Sequence, residues 1–282
     1  VDAVSLQKTA HVDLDAAVAL ARPLPPGPAW SPEVVRGVDG GPPRTARPGD
    51  RDAAARQPGA HGRSASEPGA GGEAVSRPGA RGPSGPPVRV AVLGGAAFTF
   101  GYAEHVELLT AAGAEVVVVD PLRDTRLPDG TAALVLPGGF PEEHVAALAA
   151  NVELRGAVRA LAASGAPVHA ECGGLLYLCA TLDGAPMCDV LPAHATMTAR
   201  LTLGYRDAVA LTPSPLHPEG ARVTGHEFHR CAVTPRAAAP AWAWRGAEPE
   251  GFVHGGVHAS FLHTHPAGQP EAVARLVAAA AG

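Results

Sequence analysis

The residues of this chain best suited to chemistry gather at Pro167-Val-His-Ala-Glu-Cys-Gly-Gly-Leu-Leu-Tyr-Leu178. A short apolar run stops at Glu171-Cys172, and two glycines follow before helical spacing begins, which predicts a strand, a tight turn and a helix. A cysteine on such a turn stands clear of the sheet with its sulfur at the positive end of the next helix, which favours thiolate over thiol. Gly173 and its neighbour let backbone and substrate approach closely and leave N–H groups free to hold an oxyanion. The logic is that of the G-x-S-x-G nucleophile elbow with sulfur in place of oxygen. The competing reading is structural: most free cysteines are small buried hydrophobes, and glycine-rich turns between strand and helix also serve packing.

A thiolate nucleophile needs a histidine to set its charge state and to protonate the leaving group, commonly from far along the sequence. His263 closes the strand-like run Ser260-Phe-Leu-His263, and His265 falls on the same strand face two residues later, so spacing alone does not separate them. Any one of the histidines crowding this half could equally be a satisfied core or surface residue. A metal site is the other sharp reading. His226-Glu-Phe-His229 is one residue short of H-E-x-x-H, so its two rings would not share a helical face. His263 and His265 could chelate from one strand, yet no third ligand stands out, and no metal is expected.

The elements that must position these residues begin at Val88. Val88-Arg-Val-Ala-Val-Leu93 and Glu115-Val-Val-Val-Val-Asp120 are β-branched runs suited to burial on both faces of a parallel sheet. Between them, Glu104 to Ala112 carries Val106, Leu108 and Leu109 as a helical stripe ending at Gly113. A third strand, Ala132 to Leu136, breaks at Pro137-Gly138-Gly139, and helices from about Glu142 to Ala150 and from Val152 to Ala163 lead into the strand that ends at Cys172. This alternation predicts an α/β fold: a doubly wound, mostly parallel sheet flanked by helices, with its site beyond the carboxyl ends of the strands. Beyond Leu182 short extended pieces are expected at Leu201 to Leu211, Arg222 to Arg230, Gly251 to Val257 and His258 to Leu262. Ala272, Val273, Leu276 and Val277 then form the stripe of a final helix.

The chain has 282 residues, 34 glycines and 29 prolines, and these are unevenly spread. Residues 23–87 show no hydrophobic periodicity, only a ten-residue echo of Pro-Gly pairs that carries almost no apolar residues to stack a solenoid core, so a disordered linker is expected. Residues 9–22 suggest a short helix. Four cysteines without framework spacing, and no export signal at the N-terminus, point to a reducing cytoplasm. No apolar run is long enough to span a membrane, and a net charge of −5 gives no reason to expect nucleic acid.

Six motifs together resemble a known family: Leu136-Pro-Gly-Gly-Phe-Pro-Glu142, Ala149-Ala-Asn151, Ala170-Glu-Cys-Gly-Gly174, Leu203-Gly-Tyr-Arg206, Gly225-His-Glu-Phe-His229 and Ala259-Ser-Phe-Leu-His-Thr-His265. Their order is that of the C-terminal domain of the cobyrinic (hydrogenobyrinic) acid a,c-diamide synthases, which resembles a class I glutamine amidotransferase. The likeness covers residues 88–282. It implies that Cys172 hydrolyses glutamine through a γ-glutamyl thioester, that His263 is general base and acid, and that backbone around Gly138, Gly139 and Gly173 forms the oxyanion hole. Supporting roles are expected among Glu171, His226, Glu227, His229 and His265, and Glu227 is by its chemistry a candidate third member of the catalytic set. The ammonia would pass to a synthetase domain, in cis or in trans, where a corrinoid carboxylate is activated by ATP and Mg²⁺; this domain itself would bind no cofactor and could form a homodimer.

The sequence departs from the family pattern in places. No G-x-x-x-x-G-K-[ST] occurs, so residues 1–22 are expected to be the tail of an ATP-binding domain and the chain a C-terminal piece, in keeping with its start at Val1. Gly94-Gly95 stands where Arg-Asp is usual, and Phe261 where tyrosine is usual. The competing functions are a catalytically silent binding module, a decayed fragment, and a stand-alone cysteine hydrolase on the same fold.

Overall fold

The computed structural model describes Pro87–Gly282; the expectations for residues 1–22 and for the linker through residue 86 lie outside the described residues. The first strand is β1 (Val88–Leu93), whose last four residues are buried, followed by α1 (Ala103–Ala111), β2 (Ala114–Val119) and β3 (Thr131–Leu136). A 3-10 turn at Pro141–His144 leads to α2 (Val145–Ala150), α3 (Val152–Ala163), β4 (Val168–Glu171) and α4 (Gly173–Leu178). The single helix expected from Glu142 is therefore split, with Pro141 opening the tighter turn. Asn151 caps α3 by accepting from the Leu154 N–H, and its amide donates to the carbonyls of Pro121 and Asp124, tying the helix to the loop after β2.

The chain continues through β5 (Cys179–Leu182), β6 (Ala185–Pro186), β7 (Leu191–Ala210), β8 (Arg222–Thr234), β9 (Ala237–Ala238), β10 (Trp242–Ala243), β11 (Gly251–His254) and β12 (Val257–Ser260), and closes with α5 (Pro270–Ala280). Seven strands form the main sheet in the order β2-β1-β3-β4-β12-β11-β9. Its pairs are parallel from β2 through β12, and β11 runs antiparallel to β12. Helices cover both faces, as the doubly wound pattern requires. On one, Leu108, Leu109, Ala272, Val273, Leu276 and Val277 pack over Val90, Val92 and Val135. On the other, Leu154, Val158 and the whole of α4 pack over Ala91, Leu93, Leu134 and Leu136. Val106 is more than a third exposed, so the buried stripe of α1 is narrower than its spacing predicts.

The second half differs more from expectation. In place of short pieces, β7 runs for 20 residues and pairs antiparallel with the 13 residues of β8, within a second sheet ordered β10-β7-β5-β6. This long ribbon lays β8 alongside the segment that follows β12, where the backbones of His226 and His263 exchange hydrogen bonds of 3.0 and 2.8 Å.

Candidate active site

The site forms where two neighbouring parallel strands end. Strands β4 and β12 pair in register up to Glu171 opposite Ser260, and one residue later the Cys172 N–H donates to the Ser260 carbonyl at 2.8 Å. Cys172 sits at φ 47° and ψ −101°, outside the regions an L-residue ordinarily occupies. Such strain persists only where the surroundings impose it, and here a strand must turn sharply into a helix at Cys172. The glycines permit the close packing that imposes it. A Cβ on Gly174 would lie 2.2 Å from the Leu136 carbonyl oxygen, and one on Gly173 would lie 2.9 Å from the Gly139 nitrogen. Helix α4 is thereby drawn onto the end of β3, with Gly139 against Gly173.

His263 reaches the same place. A Cβ on Gly138 would meet its Cε1 at 2.5 Å, and the His226 ring stacks on it at 4.9 Å with the planes 10° apart. Behind the loop, Glu250 is buried and accepts from the Ser260 hydroxyl at 2.8 Å and the Phe261 N–H at 2.7 Å, which fixes the approach to His263. Burial lowers the His263 pKa below its ordinary 6.5, opposed by the charge of Glu171. The Glu171 carboxylate stands 3.8 Å from His263 Nδ1 through Oε2, while Oε1 accepts from the Thr264 N–H at 3.0 Å and hydroxyl at 2.9 Å. Its pKa falls to about 2: desolvation alone would raise it, and His169, His263 and the Thr264 N–H together overcome that.

Three expectations are corrected by this geometry. Burial pushes the Cys172 thiol well up rather than down, with Cys231 and Glu142 adding to the rise; the Gly173 N–H pulls the other way and loses, so Cys172 is held as a thiol. His265 does not share a strand face with His263, because β12 ends at Ser260; its Nδ1 instead accepts from the Ala267 N–H and its ring packs 4.5 Å from Tyr102. Glu227 does not serve His263. It is buried between Arg206, whose Nε donates at 2.8 Å, and His229 at 3.4 Å, and these two hold its carboxyl low although burial raises it. His226-Glu-Phe-His229 lies on β8, where successive residues face opposite ways, so two histidines three apart fall on different faces: His226 meets His263, and His229 stacks 3.9 Å from Phe261. Among the described residues no group of three or more His, Cys, Asp or Glu is arranged to hold a metal ion, and no helix is long and apolar enough to cross a membrane.

Residues 89–270 match the family model of the CobB/CobQ-like glutamine amidotransferase domain, well over half of the chain. The chain belongs to this family. It is 62% identical over 198 residues to the hydrogenobyrinate a,c-diamide synthase of Streptomyces coelicolor, which covers 69% of this chain and 41% of that protein. Against the hydrogenobyrinate a,c-diamide synthase of Mycobacterium tuberculosis the identity is 60% over 200 residues, covering 69% and 44%. The cobyrinate a,c-diamide synthase of a Synechococcus species is 42% identical over 193 residues, covering 65% and 42%. The chain thus spans less than half the length of these relatives.

Three residues of this glutamine amidotransferase domain touch the candidate set without having been among the sequence-based candidates: His169, Thr264 and Arg206. A signal for the first was available, since His169 and Glu171 are two apart on a strand and share a face. Thr264 contributes its backbone N–H together with its hydroxyl, and the first of these its side-chain type does not announce.

Proposed function

We propose that this chain is the glutaminase part of a hydrogenobyrinate a,c-diamide synthase, hydrolysing glutamine at Cys172 and delivering ammonia for amidation of the a and c acetate side chains of the corrin ring. The observation that carries the reading is the strained Cys172 at the end of β4, with the Gly139 backbone against Gly173 and the His263 ring, from the segment after β12, against Gly138. Identity of 60% and more to hydrogenobyrinate enzymes, against 42% to a cobyrinate enzyme, favours the cobalt-free acceptor.

The protonation states shape the mechanism. With Cys172 a thiol and His263 neutral, attack on the glutamine carboxamide is coupled to transfer of the Sγ proton to the imidazole. Glu171 faces Nδ1, which leaves Nε2 to take that proton and give it to the departing ammonia. The Gly173 N–H, in the first turn of α4 and without an intrahelical acceptor, and the N–H of Gly139 beside it would hold the oxyanion of the tetrahedral intermediate. Water then hydrolyses the γ-glutamyl thioester by the same steps in reverse roles. ATP and Mg²⁺ would activate the acceptor carboxylate in the part of the relatives that this chain does not span.

The test is ammonia release from glutamine by the 282-residue chain mixed with the separately produced N-terminal part of the Streptomyces coelicolor relative, ATP, Mg²⁺ and hydrogenobyrinate. Release that needs the partner and disappears in Cys172→Ala is expected. Equal inactivity of wild type and Cys172→Ala with every component present, and no adduct with a diazoketone analogue of glutamine, would sink the reading in favour of a silent module.

A further inference from the structure

Glu171 divides its two oxygens between two tasks. Oε1 takes both Thr264 donors, at 3.0 and 2.9 Å, and has His169 Nε2 at 3.4 Å; among the described residues Oε2 meets only His263. His169 is two residues before Glu171 on β4 and pairs across the sheet with His258. Its ring is nearly buried, 5.7 Å from the His105 ring and 6.1 Å from that of His258, so it is gripped by α1 on one side and β12 on the other. Yet its other nitrogen, Nδ1, is buried with no hydrogen-bond partner among the described residues. An unpaired buried polar atom is a cost that an apolar side chain of similar size would avoid. The histidine must gain through Nε2 what it forfeits at Nδ1.

We propose that His169 is a positioning residue for the cysteine–histidine reaction described above: its Nε2–H holds Glu171 by Oε1 in the orientation that presents Oε2 to His263 Nδ1. The proton belongs on Nε2, because an unprotonated Nδ1 leaves only a lone pair unmatched where a proton there would leave a buried N–H. The chain of contacts runs His169, Glu171, His263 and is anchored at its far end by neutral rings, burial holding His105 at about 4 and His258 well below its ordinary range. Glu171 thereby works through a carboxylate clamped by three donors instead of one free to rotate. At 3.8 Å the contact with His263 is long for a hydrogen bond, as resting catalytic contacts often are, and the clamp limits how far Glu171 has to move to close it.

The proposal rests on the glutaminase reading only for its kinetic consequence, and its first test needs no glutamine. His169→Phe keeps a ring between His105 and His258 and deletes the donor; His169→Gln sets an amide N–H where Nε2 stood. In ¹⁵N-histidine-labelled full chain, the His263 resonance is identified by its loss in His263→Asn and titrated. The groups facing it are Glu171 from β4 and His226 and His229 from β8, and only the first is altered by these variants. Loosening the carboxylate weakens its upward pull, so the His263 midpoint falls by about half to one pH unit in His169→Phe and recovers most of the way in His169→Gln. With a synthetase partner present, kcat falls on the order of tenfold in His169→Phe at unchanged KM for glutamine, with the same rescue. An unmoved His263 midpoint in folded His169→Phe overturns the proposal, as does a folded His169→Gln that behaves no better than phenylalanine. A shifted midpoint in a chain that never hydrolyses glutamine would leave the positioning role standing and remove the glutaminase reading instead.

Discussion

Cys172 is at once the most strained and one of the best covered groups of the site, and the two properties have opposite chemical effects. The positive φ belongs to the turn at which β4 gives way to α4, while burial keeps the sulfur protonated. A nucleophile held as a thiol depends on a base that is free of its proton, and His263 meets that condition because burial lowers its pKa. The acidic limb of kcat/KM for glutamine should therefore lie below the ordinary imidazole value of 6.5. Replacing Glu171 by Gln removes the one charge that raises the His263 pKa. The limb should move further toward acid while kcat falls by at least on the order of tenfold, as the imidazole loses its orienting partner. A pH series of glutaminase rates on both proteins checks this; a limb at or above 6.5 in the wild type would overturn the assignment of a His263 whose pKa burial lowers.

At the level of elements, the site is a consequence of how closely β3, β4, β12 and α4 can approach one another. Two glycines do different work in that approach, and alanine should separate them. At Gly174 a methyl would press on the Leu136 carbonyl, which cannot turn away, so Gly174→Ala should cost roughly 1–3 kcal/mol in denaturant melts. At Gly138 a methyl would press on the edge of the His263 ring, which can swing, so Gly138→Ala should melt near wild type and lose most of its glutaminase rate. The strands of the main sheet and the turn at Cys172 were legible in the sequence, because β-branched runs and a cysteine before two glycines carry their own local signal. The β7–β8 ribbon was not: its pairing slips between Met197 and Thr202, which breaks the alternation that would have betrayed a long strand. The partner of His263 was open for a related reason. Glu227 was the candidate by residue type, with Glu171 only among the supporting residues, and it takes the parallel pairing of β4 with β12 to put Glu171 at hand. His265 failed as an alternative because the strand it was assigned to stops at Ser260.

At the scale of the whole molecule, the buried carboxylates Glu171 and Glu250 have effects on stability that run in opposite directions with pH. Glu171 has a folded pKa of about 2 against an ordinary 4.5, so its contribution is present above 4.5 and is lost as the pH falls toward 2. Glu250 is raised to about 7 by burial, so the folded state holds the extra proton and stability declines as the pH rises from 4.5 through 7. Relative to Glu250→Gln, in which nothing titrates at that position, the wild type should lose melting temperature as the pH rises from 5 to 8, the buried histidines acting alike in both proteins; a difference that does not change with pH would assign the effect to another group. The thiol that waits protonated and covered has a consequence outside catalysis. Hydrogen peroxide attacks thiolates that it can reach, and all four cysteines of the described residues are buried, with burial raising the pKa of each. Oxidative stress should spare the resting molecule and catch it only in the moments when Cys172 is uncovered for turnover, so the domain ages by use and not by the clock.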